Sequence, residues 1–223
     1  MRALRNHGLS IFFGVIFVLA LIGQALTGLA LFNEEQAALG LATVSLGHYL
    51  TSSAFAVDVS ENWQSEFLQF FLFILATTWL VQRGSPESKQ PGEEGPGSDA
   101  EQLVGEFAPP NSPSWARKHG WRLRIYSNSL LLVMGAIFVL SWAAQSFTGV
   151  VAYNEEQRAH LQSPVTWPDY IVSADFWNRT LQNWQSEFLA VGSMVVLSIY
   201  LRQRGSPESK PVGAPHAESA VEG

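Results

Sequence analysis

The sequence predicts an all-α membrane protein with four transmembrane helices. These form two tandem two-helix repeats in parallel orientation, with short interfacial helices in the outer loops. Three observations predict it: an internal duplication, long uncharged apolar runs between polar loops, and basic residues gathered on one side of those runs. The duplication is the most specific. Asn62-Trp63-Gln64-Ser65-Glu66-Phe67-Leu68 returns letter for letter as Asn183-Trp184-Gln185-Ser186-Glu187-Phe188-Leu189, 121 residues later. The same offset carries Asn33-Glu34-Glu35-Gln36 onto Asn154-Glu155-Glu156-Gln157, Gln82 to Lys89 onto Gln203 to Lys210, and Ile16 to Leu19 onto Ile137 to Leu140.

Averages hide this organisation. The 223 residues leave room for one domain or two small ones, and 47% hydrophobic residues with a mean hydropathy of +0.10 look ordinary. The net charge of -6 speaks against non-specific nucleic-acid binding. With no cysteine, disulfides, thiolate metal sites and cysteine nucleophiles are excluded.

The first uncharged run, Leu9 to Phe32, has 24 residues. At about 1.5 Å per residue such a helix crosses a ~30 Å hydrocarbon core. Arg2, Arg5 and a cleavage-site-like Gly28-Leu29-Ala30 also fit a signal peptide. Its duplicate, Leu130 to Tyr153, lies in mid-chain, so both are expected as retained helices at about 9–32 and 130–153. Ala20, Gln24, Thr27, Gly28 and Glu35 form one stripe, repeated by Ser141, Gln145, Thr148, Gly149 and Glu156. Such a stripe either holds helices together or lines a site.

Asn33 to Asn62 contains Glu34, Glu35, Asp58 and Glu61 but no Lys or Arg, and its apolar middle predicts one or two short surface helices. In the second half Thr166-Trp167-Pro168-Asp169 reads as a helix start with an acidic cap partner. His48 falls on Asp169 and His160 on Leu39, so no histidine is duplicated and no histidine metal site is expected.

The run Phe67 to Val81 has 15 residues and reaches only about 22 Å, so a spanning helix must recruit the heptad before it. This predicts helices at about 63–82 and 184–203. Trp63 would then lie at headgroup level and Glu66 in the first turn, where the helix dipole favours a carboxylate. Asn62, Ser65, Glu66 and Gln69 would share a face turned away from lipid; Ala190 replaces Gln69 in the second copy. Gln82-Arg83-Gly84-Ser85-Pro86 is a helix stop. The expected division is 1–89 first repeat, 90–114 disordered linker, 115–210 second repeat and 211–223 disordered tail, from a Gly-, Pro-, Ser- and Glu-rich composition. Trp115, Arg117, Lys118, Trp121, Arg122 and Arg124 make a basic and aromatic collar before the third span.

Of the 13 Lys and Arg, 11 flank the side holding both termini and the linker; only Arg158 and Arg179 flank the other. The expected location is the cell (inner) membrane, multi-pass, with both termini cytoplasmic. Both halves then run in the same sense about an axis along the membrane normal.

The paired Asn-Glu-Glu-Gln, Asn-Trp-Gln-Ser-Glu-Phe-Leu and Gln-Arg-Gly-Ser-Pro-Glu-Ser-Lys motifs resemble a bacterial membrane-protein family catalogued as a domain of unknown function. The resemblance covers nearly the whole chain apart from linker and tail. It implies a bacterial multi-pass membrane protein and brings no activity.

Two functions are open. One is a non-catalytic membrane scaffold or partner-binding protein. The other is a small transporter, channel component or sensor that binds cations or protons on outer-face carboxylates. Its candidate clusters are Gln24, Thr27, Glu34, Glu35 and Glu66, and Gln145, Thr148, Glu155, Glu156 and Glu187. Four helices are few for a transporter, and no internal ion pair is evident. No Ser/His/Asp order, phosphate-cradling glycine loop or paired-histidine motif suggests an enzyme, and no cofactor or metal is expected. The expected partners are the lipid bilayer and either a second copy of the chain or another membrane protein, with no nucleic acid.

Overall fold

The structure, a computed structural model, describes residues 2–220. Met1 and the last three residues of the expected tail, 221–223, lie outside the described residues. Every regular element among the described residues is helical: α1 (Arg2–Ala38), α2 (Leu46–Leu50), α3 (Ser53–Trp79), a 3-10 turn (Gly105–Phe107), α4 (Trp121–Ser127), α5 (Ser129–Ala159), α6 (Trp167–Ile171) and α7 (Ala174–Tyr200). α1 is interrupted at His7, whose φ of -128° and ψ of 19° leave the helical region.

The helices lie where the apolar runs predict, but their bounds differ for a physical reason. The expected ends followed the limits of apolarity. Glu, Gln and Ala are good helix formers, so α1 and α5 continue through Asn-Glu-Glu-Gln to Ala38 and Ala159. α3 and α7 each begin 10 residues before the expected starts (63 − 53 and 184 − 174). Ser52 and Ser173 set those starts, their hydroxyls accepting the N–H groups of Phe55 (3.3 Å) and Phe176 (3.2 Å).

Among the described residues two helices are long and apolar enough to cross a membrane: α1 from Asn6 and α5, with 33 and 31 residues. At about 1.5 Å per residue both are longer than a ~30 Å hydrocarbon core is thick. α3 and α7 carry the polar heptad and do not reach the same apolarity. Only 6% and 11% of the most apolar stretches of α1 and α5 are buried, whereas the core helix of a water-soluble fold is mostly buried. Leu9, Phe12 and Leu19 of α1 and Leu130, Val139 and Leu140 of α5 are exposed. Gln64, Gln145 and Thr180 are fully buried. Large apolar side chains left outside beside buried glutamines depart from the distribution usual in water-soluble folds.

The residues divide into two compact units. The first takes the chain up to Ser60 and Ala144–Phe176, hence all of α1 and α2, the start of α3, the end of α5, α6 and the first three residues of α7. Its buried apolar residues include Ala25, Tyr49, Val57, Tyr170 and Phe176. The second takes Glu61–Ala143 and Trp177 onward, with the rest of α3, α5 and α7 and all of α4. There Leu68, Ala116 and Ile199 are buried, as are several serines, Gln64 and Lys210. The expected linker carries the 3-10 turn and is otherwise turns, tied by Gly95 N–H to Thr78 O (2.7 Å) and Gly105 N–H to Ala116 O (2.8 Å).

Candidate functional site

In the first unit the Asn-Glu-Glu-Gln motif closes a loop. The Asn33 side chain donates to Val44 O (3.1 Å) and accepts from Val44 N–H (2.7 Å). Asn154 treats Val165 identically, at 2.9 and 2.7 Å. One amide thus replaces a strand partner for the loop backbone, which has no ladder of its own. Immediately beyond, Ser45 caps α2 by accepting from His48 N–H, and Thr166 caps α6 by accepting from Asp169 N–H. The start predicted at Thr166-Trp167-Pro168-Asp169 is where α6 begins.

Each short helix then delivers a buried tyrosine. Tyr49 lies over Gly28 and Tyr170 over Gly149, so close that a methyl group at either glycine would fall on the phenol oxygen. Phe32 and Phe55 flank Tyr49 at 5.6 and 5.4 Å; Tyr153 and Phe176 flank Tyr170 at 5.5 and 5.6 Å. The Tyr170 hydroxyl donates to Asp175 Oδ2 at 3.3 Å. Burial, then the charges of Asp58 and Glu35, push the Tyr49 phenol above its ordinary value.

The second unit contains a polar seam among tryptophans. Trp184 Nε1–H donates to Gln64 Oε1 at 2.8 Å. Gln64 is fully buried, and its Nε2 has no hydrogen-bond partner among the described residues. Trp142 stacks on Phe138 (5.6 Å) and meets Trp177 (6.1 Å) and Trp184 (5.9 Å). Arg179 pairs with Glu61 at 3.2 Å. The reading that no internal ion pair is evident is therefore corrected: the partners lie 118 residues apart, and sequence periodicity carries no register across that distance.

The third repeated motif folds the same turn twice. Gln82 N–H donates to Ser88 Oγ (2.8 Å) and Gln203 N–H to Ser209 Oγ (2.9 Å), while Gly84 and Gly205 take positive φ of 90° and 79°. The lysines that end the motifs find carbonyls. Lys89 donates to Gly95 O. Lys210, almost completely buried, donates to Gly84, Pro215, His216 and Glu218.

The residues of the candidate clusters differ in their surroundings. Thr27 and Thr148 hydroxyls bond carbonyls of their own helices, Gly23 O and Ala144 O, both at 2.8 Å. Gln24 is half-buried and Gln145 fully buried. Glu34, Glu35 and Glu156 are exposed, and the exposed Glu155 accepts the Ser53 hydroxyl at 3.0 Å. Glu66 is exposed rather than turned inward; the buried face of α3 there is Gln64, Ser65 and Leu68, because Gln64 answers the Trp184 indole. Glu187 is half-buried and within electrostatic reach of Glu66. Among the described residues no three His, Asp or Glu side chains converge so as to hold a metal.

Sequence reasoning missed the asparagine clips, the tyrosines and the tryptophan seam. A signal existed for the tyrosines: pairing His48 with Asp169 sets Tyr49 on Tyr170 one place further along.

Against known families, residues 1–221 match the one described as "Domain of unknown function (DUF6766)". Neither a curated protein nor a solved structure matches the chain.

Proposed function

The chain belongs to the DUF6766 family, whose description assigns no activity, and from that premise we propose that it is a non-catalytic membrane scaffold that binds a membrane partner. In this reading α1, α3, α5 and α7 all span the bacterial inner membrane, as two tandem two-helix repeats of the same sense with both termini cytoplasmic. The apolar exposure of Leu72, Leu75 and Trp79 on α3 and of Leu189, Met194 and Leu197 on α7 supports the two further spans. Short helices α2 and α6 then lie at the outer surface.

The observation that carries the scaffold reading is the use of the polar residues that occur twice. Asn33 and Asn154 close loops, Ser88 and Ser209 close turns, and Lys89 and Lys210 satisfy carbonyls. Groups spent on the chain's own backbone fasten a fold; a transport pathway needs polar groups left for its cargo.

The test is thermal unfolding of the full-length protein in detergent against pH and divalent cation, for wild type, Glu66→Gln, Glu187→Gln and the double variant. The scaffold reading expects all four to respond alike. Cation-dependent stabilisation of wild type that vanishes in both single variants establishes the ion-binding alternative instead. Reporters test the span count: one at the C-terminus should be cytoplasmic and one inserted at Ser52 external.

A further inference from the structure

The segment that leads into α5 has a role that fastening does not explain. Residues 114–127 hold four basic residues and no acidic one, in a chain where acids outnumber bases 19 to 13. Arg117 is engaged with Pro110 O. No acidic side chain pairs with Lys118, Arg122 or Arg124 among the described residues.

Beside these cations stand large apolar side chains facing out. Trp121 is 61% exposed and Ile125 44%. They lie one turn apart on α4, so helical spacing places Arg122 and Arg124 on either side of the ridge they form. The geometry is partly fixed in advance. The Arg122 guanidinium lies 5.4 Å above the Trp121 ring, and Trp115 meets Trp121 edge-on at 6.2 Å. One residue, Asn128, separates α4 from α5, a helix long and apolar enough to span.

An exposed indole ridge flanked by unpaired guanidiniums is poorly matched to water and well matched to the headgroup layer. There indoles partition and cations meet phosphates. We propose that α4 with Lys118 is a docking surface for anionic phospholipid headgroups, the Trp121–Ile125 ridge entering the interface and Arg122 and Arg124 each taking a lipid phosphate. The proposal rests on the reading that α5 lies in the membrane. It goes beyond that reading in assigning lipid-charge selectivity to one short segment.

Full-length protein in detergent is titrated with phosphatidylglycerol and separately with phosphatidylcholine, and bound lipid is counted by native mass spectrometry. Wild type should prefer phosphatidylglycerol. At about fivefold per cation, the equivalent of about 1 kcal/mol, R122Q/R124Q should bind it roughly 25-fold more weakly and leave phosphatidylcholine binding unchanged. R122K/R124K should keep most of the preference, because the charge remains. Inorganic phosphate should compete poorly, since it offers nothing to the ridge. Equal phosphatidylglycerol binding by wild type and R122Q/R124Q overturns the proposal, as does full competition by phosphate alone. Alkaline carbonate extraction of native membranes separates the premise from the proposal. Release of wild type sinks the membrane reading and the docking surface with it, whereas retention with equal lipid binding sinks only the docking surface.

Discussion

The loop from Asn33 to Phe55 and the loop from Asn154 to Phe176 share an asparagine clip, a hydroxyl cap and a tyrosine laid over glycine, yet their tyrosines meet different neighbours. Tyr170 donates to Asp175, whereas Ala54 stands at the corresponding place near Tyr49. Tyr49 is instead subject to the charges of Asp58 and Glu35. The difference teaches that backbone closure and ring packing define the shape, while chemistry at the hydroxyl varies without disturbing it. Loop geometry is over-determined by several weak fasteners, so a lone hydroxyl partner is free to change.

The sharpest way to break this comparison is at the glycines. Gly28→Ala and Gly149→Ala each push a methyl onto a buried phenol, and overpacking of this kind costs about 1–3 kcal/mol. Both should lower the unfolding temperature in detergent. Adding Tyr49→Phe to Gly28→Ala should recover part of the loss, because the nearest atom is the hydroxyl oxygen. Recovery by Tyr170→Phe should be smaller, since that change also removes the bond to Asp175. Unchanged unfolding of Gly28→Ala would falsify the tight contact.

The clips come next. Asn33→Ala and Asn154→Ala each remove two hydrogen bonds to a loop backbone. At ~0.5–1.5 kcal/mol per bond the loss is about 1–3 kcal/mol. The comparison predicts nearly equal losses at both sites, read from denaturant midpoints. A large loss at one and none at the other would show that only one loop depends on its asparagine.

The smallest effect concerns pH. The Tyr49 phenol is raised from its ordinary value of 10.0 by burial and by Asp58 and Glu35. Between that value and its higher folded one the unfolded chain loses the proton first, so stability falls as pH rises. The contribution is whole below pH 10.0 and lost as pH climbs through the folded value. Tyr49→Phe should show a shallower decline in unfolding temperature above pH 10 than wild type. Identical alkaline slopes would remove the electrostatic distinction between the two loops.

How far these features were legible in the sequence depended on their range. The uncharged runs located α1 and α5, and Thr166 announced α6, because apolar length and capping are local signals. Gly84 and Gly205 likewise announced the positive φ of their turns. The clips bridge 11 residues and need a loop path that composition does not specify. The bond between Trp184 and Gln64 joins residues 120 apart, beyond any periodicity. The duplication itself hid the tryptophan seam. Trp142 and Trp177 correspond to Leu21 and Ala56, and a search for sameness passes over positions that differ. Glu66 was misplaced for a related reason: charge drew attention to it, but the neutral Gln64 beside it met the buried indole.

The ring of carbonyls around Lys210 has a consequence for the order in which this chain is assembled. Its acceptors are Gly84, 126 residues upstream, and Pro215, His216 and Glu218 downstream. Synthesis runs from the N-terminus, so Gly84 waits through all of α4 to α7 before its ammonium arrives. The last acceptor becomes available only once residue 218 has cleared the ribosome. Closure of this end of the molecule therefore follows the synthesis of all the long helices, and nascent chains stalled before that point carry an ammonium not yet fully enclosed.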